Sequence, residues 1–117
     1  MKPSELIRLN TALKNVRTEA DAVALSKMVI EIAPGIKGDV IWLTTEGRIL
    51  AAVISYQAKR GPDRSFADVC EMLQSDRLDS ILENEPLWRA VKQSSPDNFR
   101  MAVTAGLVGR LATEFNM

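Results

Sequence analysis

A chain of 117 residues with 46% apolar content has the size and make-up of one globular domain with its own core, so residues 1–117 read as a single domain. Lys+Arg and Asp+Glu both number 15, which leaves no overall basic field to draw in DNA, RNA or an anionic membrane. With no histidine and one cysteine, Cys70, the chain lacks a Ser-His-Asp triad, a zinc ligand set and a disulfide framework; no cofactor or metal is expected, and the lone thiol points to the reducing cytoplasm.

Nearly every apolar segment repeats at three or four residues and none alternates at two, which predicts an all-α fold, a compact bundle of five to seven helices. No apolar run approaches the roughly 18 to 20 residues that cross a bilayer. The first helix spans about 4–16 behind Ser4 as its cap, with Leu6, Leu9, Leu13 and Val16 on one face. A second opens at Thr18, whose hydroxyl caps the amide near Asp21. It carries Ala22, Leu25, Met28, Val29 and Ile32 until Pro34 and Gly35 stop it, and a loop follows over 34–38.

The segment 39–59 is predicted as the central helix, with Asp39 as its N-cap. Trp42, Glu46, Ile49, Val53 and Tyr56 recur at helical spacing, and Leu50, Ala51, Ala52, Ile54 and Ala58 make most other faces apolar, the pattern of a helix enclosed by its neighbours. Gly61-Pro62-Asp63 ends it in a turn. Ser65 and Asp68 then form a capping pair for a short helix to about Gln74, buried through Phe66, Val69, Cys70 and Leu73. Over 75–93 two shorter apolar groups, Leu78, Ile81 and Leu82, then Leu87, Trp88 and Val91, suggest one or two turns each.

The last helix is predicted with Ser95 as cap and Pro96 as first helical residue, and Phe99, Val103, Leu107, Leu111 and Phe115 as its ridge. Ala102, Ala105, Gly106 and Gly109 are small residues in the same helix; the cost of two mid-helix glycines, about 1 kcal/mol each, implies that another backbone approaches closely there.

The acidic middle, Asp68, Glu71, Asp76, Asp79, Glu83 and Glu85, matches no calcium-loop spacing and reads as a solvated helix face, with no catalytic residue assigned. An enzyme working by carboxylates alone would need a concave site joining at least two of them. Trp42 and Tyr56 read as core packing rather than a stacking platform, Trp88 as the more exposed tryptophan, and Cys70 as a small buried hydrophobe. The residues assigned to DNA or partner binding are Lys59, Arg60, Arg64, Lys92, Arg100 and Arg110, each a phosphate or carboxylate partner set against ordinary surface charge. No GxxxxGK[ST] segment is present, so nucleotide hydrolysis has no place in this chain.

Asp39-Val40-Ile41-Trp42 followed by Glu46-Gly47-Arg48-Ile49-Leu50-Ala51-Ala52-Val53-Ile54-Ser55-Tyr56 resembles the D-P-F-W and L-L-x-A-x-I-x-Y signature of type IV secretion coupling proteins, the TraG/TraD-like conjugative ATPases. Residues 22–30 look like the helix leading into that signature. Arg64-Ser65-Phe66-Ala67-Asp68-Val69-Cys70-Glu71-Met72-Leu73 is similar to the family's R-[ST]-[LF]-x-D-[VL]-x-x-[LM]-L segment. The likeness covers about 18–75, with Val40 standing where the pattern has proline, and Thr44 and Thr45 where it has smaller or amide residues.

The resemblance implies an all-alpha domain excised from a larger P-loop ATPase, hexameric in the parent and monomeric alone, at the cytoplasmic face of the membrane without touching it. It also implies a non-catalytic module that selects relaxase, relaxosome accessory proteins or DNA for transfer. The rival expectation is a stand-alone helical adaptor that binds a protein partner and never meets DNA.

Overall fold

In the computed structural model, which describes residues 3–32, 40–61 and 63–115, seven helices follow one another and no strand occurs among the described residues. They are α1 (Pro3–Lys14), α2 (Glu19–Ile32), α3 (Val40–Lys59), α4 (Phe66–Leu73), α5 (Leu78–Ile81), α6 (Pro86–Ser94) and α7 (Asp97–Phe115). The expectations for Asp39 as a cap, the 34–38 loop, Pro62, and the side chains of Trp42 and Phe115 lie outside the described residues.

Two of the helices, α2 and α4, start where neighbouring side chains satisfy their free amides. At α2 the Thr18 hydroxyl accepts the Asp21 N–H at 3.1 Å, while the Asp21 carboxylate accepts the N–H groups of Thr18 at 3.1 Å and Arg17 at 2.9 Å, a reciprocal cap. At α4 the Asp68 carboxylate takes the Ser65 N–H at 2.8 Å. Asn10 of α1 accepts the Phe66 N–H at 2.7 Å, so one helix caps the start of another. The start of α7 departs from the sequence reading. The helix begins at Asp97 rather than Pro96, and the Ser95 hydroxyl turns back to donate to the Val91 carbonyl at 2.6 Å, closing α6 instead of opening α7.

Around α3 lie α2, α6, α7, α4 and α1. Its residues 49–54 are all buried, so Ile49, Leu50, Val53 and Ile54 form the axis of the core as the all-round apolar pattern predicts. Leu9, Leu13 and Val16 of α1, Ala22, Leu25 and Val29 of α2, Phe66, Val69, Cys70 and Leu73 of α4, and Val103, Leu107 and Leu111 of α7 close on it. The radius of gyration is 13.0 Å, close to the roughly 13 Å of a compact fold of this length. No helix among the described residues is long and apolar enough to cross a membrane.

Two expectations about exposure are corrected. Trp88 is buried, its indole N–H donating to Asp79 at 2.9 Å, because α6 turns it inward against the core and leaves only its polar edge at the rim. In α7 the small residues Ala102, Ala105 and Gly109 face outward: a Cβ placed on Gly109 meets nothing within 4 Å, so none of the described residues brings a backbone close there.

Candidate functional site

The six cations assigned to binding do not converge on one face. Arg110 is drawn inward from α7 to form an ion pair with Glu46 of α3, whose side chain is fully buried. Arg100 is also buried. It pairs with Asp97, donates to the Ser95 carbonyl at 3.0 Å, and lies 5.5 Å from the Trp88 ring centre. Lys92 pairs with Asp79 at 2.9 Å. Lys59, at the end of α3, pairs with the buried Glu85 at 3.0 Å while its own chain stays largely in water.

Arg60 and Arg64 remain. Among the described residues neither has a carboxylate within ion-pair distance, and Arg60 lies over the Tyr56 ring at 5.7 Å. They sit at the corner where α3 ends and α4 begins, on the rim of a cleft of about 250 Å³ also lined by Tyr56, Gln57, Asp68 and Glu71. Lys92 and Arg100 line a separate, larger groove of about 840 Å³ between α7 and the 73–92 segment, with Asp76, Asp79, Asp97 and the exposed Met101.

The acidic middle is only partly the solvated face expected. Glu71, Asp76, Asp79 and Glu83 are exposed, but Asp68 is half-buried as a cap, and Glu85 is buried. Glu85 goes inside because Lys59 reaches it from above; an unpaired carboxylate would not stay there. Asp79 is held below the usual carboxylate range, first by the Trp88 indole N–H and then by the Lys92 ammonium. Burial pushes the Cys70 thiol up to about 12, so it stays protonated and unreactive at neutral pH. Among the described residues no three acidic or cysteine side chains are grouped as a metal would require.

Sequence reading missed the polar side chains inside. Glu46 carried a signal, since it sits in register with Ile49 and Val53 on the apolar stripe of α3. Gln57 carried none. Its amide nitrogen donates to the Met72 sulfur at 3.3 Å, while its Oε1 is buried with no hydrogen-bond partner among the described residues. Compared with family models, curated proteins and solved structures, the chain finds no match in any of the three.

Proposed function

We propose that this chain is the substrate-recognition module of a conjugative coupling protein, which selects a protein component of the relaxosome by surface contact and performs no chemistry of its own. Support for the family comes from the resemblance over 18–75, whose residues 49–54 and 66–73 supply much of the core. The choice of protein over DNA rests on one observation: Lys59, Lys92, Arg100 and Arg110 each already face a carboxylate of the same domain. A phosphate-binding face needs several cations free to displace counterions together. Arg60 and Arg64 alone are too few for that, yet they suit a single carboxylate on a protein surface.

Titration against purified relaxase, with labelled single-stranded and duplex oligonucleotides in parallel, tests the reading. Relaxase binding that changes little between low and physiological salt, and that falls on Arg60→Glu with Arg64→Glu, is expected. Oligonucleotide binding that drops steeply over the same salt range, with no relaxase binding, overturns it.

A further inference from the structure

The cleft at the end of α3 combines three features that no single structural role accounts for. Its rim carries two guanidiniums, those of Arg60 and Arg64, without carboxylate partners among the described residues. One of them is steadied over the Tyr56 ring, an arrangement that restrains the planar fork while leaving donors for an anion. Among the lining residues is Gln57, 5% exposed, whose amide nitrogen meets a thioether and whose oxygen has no hydrogen-bond partner among the described residues. A thioether sulfur is a weak acceptor, so this buried amide is poorly satisfied at both ends. A buried polar group in that state costs stability and marks a place where a partner is missing.

Size and charge narrow what the partner is. At about 250 Å³ the cleft is smaller than the roughly 300 to 1,000 Å³ of ordinary small-molecule sites, which suits one side chain with its adjoining peptide group. Asp68 and Glu71 share the cleft with the arginines, and their charge opposes a run of phosphates. One carboxylate meets less of that repulsion than a run of phosphates does, and two guanidiniums line the same cleft to offset it.

We infer that this cleft seats a glutamate or aspartate side chain of a protein partner, its carboxylate held by Arg60 and Arg64 and its backbone N–H donating to the Gln57 side-chain Oε1. The inference deepens the recognition reading by naming the group recognised. The two fail separately: relaxase binding through another face leaves the reading standing without the cleft, and peptide binding in the cleft survives the absence of relaxase binding.

The test is a titration of the isotope-labelled chain, followed by NMR, with three probes: the blocked tripeptide acetyl-Ala-Glu-Ala-amide, its glutamine counterpart, and a short single-stranded oligonucleotide. The glutamate peptide is expected to give saturable shifts at the Gln57 side-chain amide and at the Arg60 and Arg64 side-chain N–H groups. The glutamine peptide, and the glutamate peptide on Arg60→Gln or Arg64→Gln, should each bind about ten-fold more weakly, the loss typical of a charged hydrogen bond. Gln57→Met is expected to keep the fold and weaken the same peptide. Equal shifts from both peptides, shifts confined to other residues, no saturation, or displacement of the peptide by the oligonucleotide would each overturn the inference.

Discussion

Glu46 is a costly side chain to keep inside. It is fully buried, one of its oxygens meets Arg110, and the other has no hydrogen-bond partner among the described residues. The Coulomb attraction of such a pair offsets desolvation only while both charges are present. Arg110→Met should therefore lower unfolding stability by about 3 to 5 kcal/mol, whereas Glu46→Met combined with Arg110→Met should recover most of the loss. Urea denaturation of the two variants beside the parent chain separates these outcomes; equal stability of single and double variants would show that the pair is not coupled. Asp79 makes a different kind of contribution. Its carboxyl titrates lower in the folded chain than its ordinary value of 3.8, so the stabilisation is complete above that value and is lost as pH falls through the lower folded value. Asp79→Asn removes this component. The gap between the two chains' melting temperatures should narrow on acidification below about pH 4.

At the scale of helices, α2 and α4 begin on side-chain caps that are written in adjacent residues, whereas α7 begins after Pro96 with Ser95 already engaged by α6. The outer face of α7 is the clearest departure from the reading of small residues as a packing seam. With open space around a Cβ at Gly109 and ordinary helical backbone, Gly109→Ala should stabilise the domain by about 0.5 to 1 kcal/mol, since alanine restricts the unfolded chain more than glycine does. Thermal unfolding measures it. A drop in melting temperature would mean that something packs on that face after all.

For the molecule as a whole, α3 is the element through which the others meet, and Leu50 is fully buried at its middle. Leu50→Ala should cost about 2 to 5 kcal/mol. Far-UV circular dichroism and tryptophan fluorescence should report one shared midpoint, because helices that share a single core unfold together. Separate transitions for the two signals would divide the chain into independent parts. The all-helical class, the order of the elements and the enclosed 49–54 segment were legible from the residues alone, since helical periodicity and capping act over three or four positions. What only the tertiary structure decided is the fate of the polar groups. Glu46 meets Arg110 from 64 residues away and Lys59 meets Glu85 from 26 away, contacts fixed by where two helices come together and by no local pattern. The same packing pairs Lys59, Lys92 and Arg110 with carboxylates of other elements, while Arg100 meets Asp97 within its own helix; Arg60 and Arg64 are left beside Gln57, so the candidate site emerges only once the helices are assembled.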